Sequence, residues 1–292
     1  MPNARRALLL VNRRARSGPD RGREAADRLR ARGLELVEEW PDRPAAFPRL
    51  INRHREAVDL VVVGGGDGTL GAAAEGLLAA DLPLGILPLG TANNVARTLG
   101  IPAELDAACE IVAAGRERRI DLGRVNGRHF LTTASLGLSV EITRRLSHDA
   151  KRRLGPLAYV VTAARTLGEV RPFRAEITWP GGAVRSRTVQ IVVGNGRYYG
   201  TALPVAEDAE IVDRRLDLYS MEIRRWWEAL LLLPALRRGS HGERPEVRTL
   251  RAPWFEIRTY PPQRIGIDGE LGPTTPARFD VLPSALRVIC PP

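Results

Sequence analysis

The sequence has only two cysteines and no long apolar run, and both shortages exclude classes of protein. Cys109 and Cys290 lie too far apart along the chain for a disulfide framework or a zinc-binding spacing. The apolar stretch from Ala229 to Leu236 is interrupted by Pro234 and falls well short of the ~20 residues that span a membrane. The apolar run near the N-terminus is too short for a secretory signal. We therefore expect a cytoplasmic protein, which leaves contact with a membrane surface open.

Lysine is almost absent, and its scarcity excludes the phosphate-binding motifs that depend on it. A Walker A loop requires Gly-Lys-Ser/Thr, whereas the sole lysine, Lys151, lies in His-Asp-Ala-Lys-Arg-Arg. The protein-kinase set of a strand lysine, HRD and DFG is missing. The frame from Gly66 to Gly71 fits GxGxxG in spacing, but Asp67 within it and the lack of a ribose-binding acid argue against a dinucleotide site.

The positive charge of the chain is carried almost entirely by arginine. The formal net charge is +10 and the pI about 10.7, which favours anionic partners such as nucleotide phosphates or an anionic membrane. The arginines are interleaved with acidic residues over much of the chain, so a compositional bias explains the charge equally well. They form no stripe with aromatic residues, and we therefore expect no nucleic-acid binding.

The first 120 or so residues alternate between short apolar runs and helical patterns. This alternation predicts a parallel sheet with helices on its faces. The predicted strands are 7–11, 34–39, 60–63 and 84–87, and the predicted helices are 20–32, 44–56, 70–80 and one that follows Asn94.

After Asp121 the chain changes to short runs rich in Thr, Val, Ile and aromatic residues, separated by Gly-rich turns. This texture predicts an antiparallel β region and a domain boundary near residue 122. The predicted strands are 129–134, 174–179, 188–193, 216–222 and 254–259, and helical inserts are predicted near 155–167 and 226–237.

Two glycine-rich loops, Gly64–Thr69 and Gly90–Asn94, each follow a predicted strand and precede a predicted helix. Glycines let the backbone approach a phosphate, and the amides of a helix N-terminus supply donors and a favourable dipole. Asp67 would repel a phosphate unless it binds Mg²⁺ or accepts a proton. Thr91 and Asn93 are placed to cap the next helix or to reach the nucleotide. The alternative is that both loops are merely tight turns with N-caps.

With these loops the sequence resembles the soluble bacterial diacylglycerol-kinase-like lipid kinases of the YegS type, over essentially the whole chain. GGDGT alone is shared with NAD kinases and phosphofructokinases, but its pairing with LPLGTAN and a late DGE is more specific. The motifs that carry the resemblance are VVVGGGDGTL at 61–70, LGILPLGTANNVARTLGIP at 84–102, IDLGRVNGRHF at 120–130, VVGNGRYYG at 192–200, IVDRRLDLY at 211–219, DGE at 268–270 and FDVLPSALRV at 279–288.

The resemblance implies an α/β plus β fold and a lipid kinase activity. A three-layer α/β nucleotide-binding domain would occupy 1–122, the strand 279–292 would return to it, and an antiparallel β-sandwich domain that binds lipid would occupy 123–278. The activity would be ATP-dependent phosphorylation of a lipid hydroxyl, as in diacylglycerol, ceramide or a sphingoid base. A kinase for a non-lipid alcohol, an NAD-kinase-like enzyme and a non-catalytic nucleotide or lipid sensor are the alternatives.

The resemblance also implies ATP and Mg²⁺ as cofactors and assigns the site residues. Glu270 matches the proton acceptor for the lipid hydroxyl, and we assign Asp67 to the phosphate and Mg²⁺. A structural metal would bind the Asp213 carboxylate and the backbone carbonyls of Glu210 and Arg215. The predicted nucleotide-binding residues are Asn12, Gly65, Gly66, Asp67, Gly68, Thr69, Gly90, Thr91 and Asn93.

Three departures from the family pattern bear on activity. Asn94 replaces an aspartate, Gly71-Ala72 replaces an Asn-Glu pair, and Arg214 replaces a glycine in the turn of the structural metal. Arginine is a poor residue wherever φ is positive. The two lost carboxylates are what motivates the sensor alternative.

Arginines flank Trp226-Trp227 and the leucines that follow, as they would in a helix at a membrane interface. A helix that packs its leucines on the sheet has the same pattern. We expect a lipid substrate and peripheral contact with an anionic membrane surface. The oligomeric state is open, with a homodimer as one alternative.

Overall fold

The computed structural model describes residues 5–13, 18–145, 166, 169, 171–196, 198–199, 203–204, 210–223, 228 and 244–292. Most of the two predicted helical inserts, with Trp226 and Trp227, lies outside these residues. Within the described part of the chain, no helix is long and apolar enough to cross a membrane.

The N-terminal region is a parallel sheet covered by helices. Its strands lie in the order β2-β1-β3-β4, and all three neighbouring pairs are parallel. The strands are β1 (Arg6–Val11), β2 (Glu35–Glu39), β3 (Leu60–Gly65) and β4 (Leu84–Pro88). The helices are α1 (Gly18–Ala31), α2 (Phe47–His54, after a 3₁₀ turn at Pro44–Ala46), α3 (Asp67–Ala80), α4 (Asn94–Thr98) and α5 (Leu105–Ala114).

The central strands of this sheet form because their side chains are apolar on both faces. Leu8–Leu10 and Val61–Val63 have no exposed surface, as expected for parallel strands between two helical layers. The loops after β3 and β4 therefore emerge at the same edge of the sheet, beyond the carboxyl ends of the strands, where open α/β sheets bind ligands.

The C-terminal region contains a helix, α6 (Leu138–Arg145), two facing sheets of antiparallel strands, and a separate antiparallel pair formed by Tyr198–Tyr199 and Leu203–Pro204. One sheet has the order β14-β13-β10-β7-β16-β17, and the other is the far end of the ten-stranded sheet that begins with β2. The strands are β5 (Glu117–Val125), β6 (Arg128–Phe130), β7 (Thr133–Gly137), β8 (Phe173–Trp179), β9 (Gly182–Thr188), β10 (Gln190–Gly194), β11 (Tyr198–Tyr199), β12 (Leu203–Pro204), β13 (Leu216–Met221), β14 (Val247–Ala252), β15 (Trp254–Tyr260), β16 (Arg264–Ile267), β17 (Glu270–Thr274) and β18 (Ala277–Ile289).

A second apolar core fills the space between these two sheets. Phe255 and Phe279 from one sheet share it with Leu136, Ile191 and Leu218 from the other. Alternation of buried and exposed residues along β15 is the pattern of a strand with one face on such a core. The predicted fold class, α/β followed by an antiparallel β-sandwich, is confirmed.

Strand β18 joins the two regions into one sheet. Its Val288 pairs in parallel with Leu84 of β4, whereas its Phe279 pairs antiparallel with Phe255 of β15 and with Val125 of β5. Strand β5 pairs with the other edge of β18. Because β5 spans Glu117–Val125, it continues through the predicted domain boundary at residue 122.

The element boundaries differ from the predictions in two places that matter for the site. Helix α3 begins at Asp67, not near residue 70, because Gly66 is its N-cap and accepts the N–H groups of Thr69 and Leu70. The prediction of one strand over 129–134 was wrong. The strand breaks after Phe130 because the next three N–H groups donate to the Asp268 carboxylate and not to a neighbouring strand. Helices α5 and α6 were not predicted.

Candidate active site

The GGDGT segment forms the junction between β3 and α3. Gly65 ends β3, Gly66 is extended with φ −102°, and helix α3 begins at Asp67. The N–H groups of the first turn, together with the helix dipole, make this end of α3 suitable for an anionic ligand. Thr69 is buried, and a Cβ on Gly65 would lie 2.6 Å from the Thr69 Cβ, so the threonine packs beneath the loop.

The loop after β4 lies directly against GGDGT. A Cβ on Gly90 would come within 2.4 Å of the Gly66 Cα, so the two backbones contact each other without intervening side chains. Asn93 closes this second loop in a left-handed conformation with φ 52°. Its Oδ1 accepts the Gly90 N–H at 3.0 Å, and its Nδ2 donates to the carbonyls of Gly90 at 3.1 Å and Pro88 at 3.3 Å. The side chain of Asn93 therefore holds the loop in place. This structural role was not part of the prediction, which assigned Asn93 to nucleotide binding.

Asp67 connects the two loops. Its Oδ1 accepts the Val95 N–H at 2.9 Å, so a carboxylate from the first loop caps the helix, α4, that follows the second. Burial raises the pKa of Asp67, whereas hydrogen bonds from the backbone N–H groups of Val95 and Asn94 act in the opposite direction. The carboxylate therefore sits among N–H donors in a partly desolvated position, where a cation or a proton would stabilise it.

The remaining predicted nucleotide-binding residues lie at the same edge of the sheet. Asn12 follows β1, and its backbone N–H donates to the Gly64 carbonyl at 3.3 Å. Thr91 is exposed in the second loop. The structure thus places Asn12 beside the end of β3, where the GGDGT segment begins.

The DGE segment faces the first turn of α3 from the sandwich side. Asp268 and Gly269 form the turn between β16 and β17, and Glu270 is the first residue of β17 and is exposed. A Cβ on Gly68 would lie 3.7 Å from the Asp268 carbonyl oxygen. Residues that are about 200 positions apart in sequence are therefore neighbours, and the space between the GGDGT and DGE segments is called the cleft below.

Sequence reasoning assigned no role to Asp268, although the residue was quoted in the motif. Its carboxylate accepts hydrogen bonds from the N–H groups of Leu131, Thr132 and Thr133 and from the Thr132 hydroxyl. Burial raises the pKa of Asp268, and these four donors oppose that effect. The only signal in the sequence was an Asp-Gly pair between two β patterns, which is typical of a hairpin turn.

The predicted structural metal site lies in a turn near β13. The Asp213 Oδ1 accepts the Arg215 N–H at 3.0 Å, and Arg214 adopts φ 61°, the conformation for which arginine is poorly suited. Asp121, which had no predicted role, holds this turn: its Oδ2 accepts the Arg214 N–H and its Oδ1 the Ser284 N–H, both at 2.7 Å.

The donor set of this turn fits a hard cation. Burial and, to a smaller extent, the nearby Asp121 charge raise the pKa of Asp213, so a cation there would relieve both desolvation and repulsion. A carboxylate with the backbone carbonyls of Glu210 and Arg215 is the oxygen chemistry that Mg²⁺ or Ca²⁺ prefers. The described residues contain no group of three or more His, Cys, Asp or Glu side chains that could hold a metal, so the carbonyls and water would have to complete the coordination.

Comparison with known proteins agrees with this arrangement. Residues 6–125 match the family model described as diacylglycerol kinase catalytic domain, and residues 132–290 match the one described as YegS C-terminal NAD kinase beta sandwich-like domain. A protein of Pseudomonas aeruginosa named "Probable lipid kinase YegS-like" is 33% identical over 287 residues, which cover 97% of this chain and 93% of the relative. The chain belongs to the YegS-like lipid kinase family. Membership of this family makes the protein a kinase.

A second relative agrees with this family assignment, and solved structures share the fold. A relative of the same name from Yersinia enterocolitica is 32% identical over 295 residues, 98% of this chain and 97% of that protein. A solved structure of a diacylglycerol kinase from Bacillus anthracis strain Sterne has the same fold, with a TM-score of 0.75 at 19% identity, covering 100% of this chain and 98% of that chain. A second solved chain from that organism has a TM-score of 0.80 at 25% identity, covering 100% and 99%.

Proposed function

We propose that this kinase transfers the γ-phosphoryl group of MgATP to a lipid hydroxyl. The observation that carries the proposal is the contact between the GGDGT helix and the DGE turn, seen in the 3.7 Å from a Cβ on Gly68 to the Asp268 carbonyl. A triphosphate bound at the N-terminus of α3 would place its terminal phosphate beside this turn, and a hydroxyl next to Glu270 could then attack it.

Each side of the cleft supplies a different part of the reaction. The backbone N–H groups of Gly66–Gly68 and of the second loop would bind the phosphates, and Asp67 would hold the Mg²⁺ that travels with ATP. Mg²⁺ would neutralise charge on the phosphates, which is the main electrostatic requirement of phosphoryl transfer. Glu270 would accept the proton of the attacking hydroxyl and orient that hydroxyl toward the phosphate. The Asp213 carboxylate and the backbone carbonyls of Glu210 and Arg215 would hold the structural Mg²⁺.

The lipid part of the proposal is tested by comparing classes of acceptor. Labelled ATP would be supplied with diacylglycerol, ceramide, a sphingoid base or monoacylglycerol in mixed micelles, and separately with NAD and water-soluble alcohols. We expect transfer only in the micelle reactions. Transfer confined to a water-soluble alcohol would identify a different kinase, and ATP binding without any transfer would favour the sensor alternative.

Two glycine substitutions distinguish an effect on ATP binding from an effect on the stability of the fold. Neither Gly68 nor Gly90 has a positive φ, so alanine is allowed at both by backbone conformation. A methyl group on Gly68 makes only an ordinary contact with the protein but enters the cleft, whereas one on Gly90 collides with the Gly66 backbone. Gly68→Ala is expected to keep the thermal stability and to lose about tenfold in ATP affinity, roughly 1.4 kcal/mol. Gly90→Ala is expected to lose both.

Isothermal titration with ATP and thermal unfolding without ATP would measure these effects. If Gly68→Ala bound ATP with wild-type affinity, the phosphates would not lie in this part of the cleft. An unchanged unfolding temperature in Gly90→Ala would show that the two loops tolerate separation.

We also propose that the enzyme reaches its lipid by reversible binding to an anionic membrane. A net charge of +10 favours such a surface, since each basic residue near it contributes roughly 1 kcal/mol. The attraction decays within a Debye length of about 8 Å at physiological salt. We expect co-sedimentation with anionic vesicles that weakens steeply as salt is added, and a further loss in Trp226→Ala/Trp227→Ala. Equal binding to neutral and anionic vesicles would contradict the electrostatic part of this proposal. Unchanged vesicle binding by the double variant would contradict the role of the tryptophans.

A further inference from the structure

The carboxylate of Asp268 is held by donors alone. Its Oδ2 accepts the Leu131 N–H at 2.8 Å, and its Oδ1 accepts the N–H groups of Thr132 at 3.0 Å and Thr133 at 3.1 Å and the Thr132 hydroxyl at 2.5 Å. An ionised carboxylate can accept all four of these hydrogen bonds, whereas an amide would direct its own NH₂ group at one of the donors. Charge-assisted bonds of this kind are stronger than neutral ones.

The segment that donates these bonds lies where the chain crosses between the two sheets. Strand β6 ends at Phe130 in the ten-stranded sheet, and β7 begins at Thr133 in the six-stranded sheet. The segment is also fixed from its other side. The buried Asn195 donates through Nδ2 to the Leu131 carbonyl at 3.2 Å and through its backbone N–H to the Thr132 carbonyl at 2.8 Å. It is therefore a rigid point of attachment for Asp268.

The attachment determines the direction in which Glu270 leaves the turn. Asp268 has φ 46° and Gly269 has φ 88°, and the flanking residues Ile267 and Glu270 are paired. Positive φ at both central residues defines a two-residue type I′ hairpin turn. Glu270 follows the turn immediately, so a rotation of the turn would displace its carboxylate.

The same aspartate contacts the helix that carries the GGDGT loop. A Cβ on Gly71 would lie only 3.0 Å from the Asp268 Oδ2, and one on Gly68 would lie 3.7 Å from its carbonyl oxygen. Because Gly71 has no side chain, α3 and the hairpin approach closely along this line. Asp268 thus touches both the phosphate-binding helix and the segment that joins the two regions.

We propose that Asp268 is a positioning residue that sets the location of Glu270 relative to the GGDGT loop. The inference rests on the proposed function, because it assigns Asp268 an effect that acts through the proton acceptor. A displacement of about 1 Å at a reacting group can cost on the order of 10²-fold in rate. We therefore expect Asp268→Asn to lower kcat about 10²-fold with ATP affinity unchanged.

The decisive experiment is a double-mutant cycle with Glu270, measured with the acceptor that wild type phosphorylates fastest. If Asp268 acts through Glu270, Asp268→Asn should cost about 10²-fold in wild type but less than about threefold in the Glu270→Gln background. A merely structural role would cost the same factor in both backgrounds. Additive costs, or a wild-type kcat in Asp268→Asn, would overturn the inference.

A second pair of variants keeps the test open if Asp268→Asn does not fold. Thr132→Val replaces one of the four donors with a methyl group, whereas Thr132→Ser retains the hydroxyl. The valine variant is expected to lose several-fold in kcat, and the serine variant to restore it. Equal rates for the two variants would contradict the inference. A wild type that transfers phosphate to no acceptor would overturn the proposed function and this inference with it, an outcome distinct from an active wild type that tolerates the variants.

Discussion

Asp67→Asn is expected to lower kcat by at least about 10³-fold while the protein remains folded. The loss follows from removal of the charge that would hold Mg²⁺ beside the phosphates, and a single preorganised electrostatic contact of this kind is worth about 10²–10³-fold or more. The fold should survive because the Asn oxygen can still accept the Val95 N–H that now bonds to Asp67 at 2.9 Å. Asp67→Ala would lose this helix cap as well, at a cost of about 1 kcal/mol in stability.

The matched control for this substitution lies at the other end of the same helix. Asp81 follows α3 with φ 48°, a conformation that asparagine tolerates, and its ion pairs with Arg119 and Arg287 are exposed. Asp81→Asn is expected to leave both turnover and unfolding temperature near wild type. Turnover and unfolding temperature would be measured for wild type, Asp67→Asn and Asp81→Asn by steady-state kinetics and thermal unfolding. Wild-type turnover in Asp67→Asn would show that Asp67 is not part of the active site.

Glu270→Gln is expected to lower kcat by at least about 10²-fold with ATP affinity unchanged. A general base typically contributes about 10²–10⁴-fold, and glutamine keeps the shape of the side chain while it removes the basic oxygen. Glu270 is exposed at the start of β17, so the substitution should not disturb the core.

The matched control for Glu270→Gln is Glu256→Gln, on an exposed position of β15, which should behave as wild type. Weaker ATP binding in Glu270→Gln would place the residue in the nucleotide site and contradict its role as proton acceptor.

The sequence predicted the features that depend on local pattern. The buried strands β1, β3 and β4 were visible as short apolar runs, and the loops at Gly64–Thr69 and Gly90–Asn94 as glycines between a strand and a helix. These signals are local because a parallel strand is buried on both faces and a phosphate loop is a continuous segment.

Features that depend on contacts between distant residues were not visible. Three contacts arise only from folding of the whole chain: the hydrogen bond from the Val95 N–H to Asp67, the backbone contact between Gly66 and Gly90, and the position of Gly71 beside Asp268. The strand break after Phe130 is an example, because it is caused by a carboxylate more than a hundred residues later in the sequence. The role of β18 in joining both regions also depends on long-range pairing. The family resemblance, and not periodicity, implied that the strand 279–292 returns to the first domain.

Arg214 shows that a residue can adopt a backbone conformation that its own preference disfavours. The turn does require a positive φ, and arginine adopts it at 61°. The Asp121 carboxylate, which accepts the Arg214 N–H at 2.7 Å, offsets the unfavourable conformation. An arginine can therefore occupy a turn that disfavours it when a buried carboxylate accepts a hydrogen bond from its backbone N–H.

The central claim, transfer of phosphate from ATP to a lipid hydroxyl, is tested most directly with γ-labelled ATP and a total lipid extract. Purified wild type and Asp67→Asn would be incubated with the extract and Mg²⁺, and the organic phase would be resolved by thin-layer chromatography. The account predicts a labelled lipid with wild type and none with Asp67→Asn. Label that stays in the aqueous phase with wild type, or an equal labelled lipid with the variant, would contradict it.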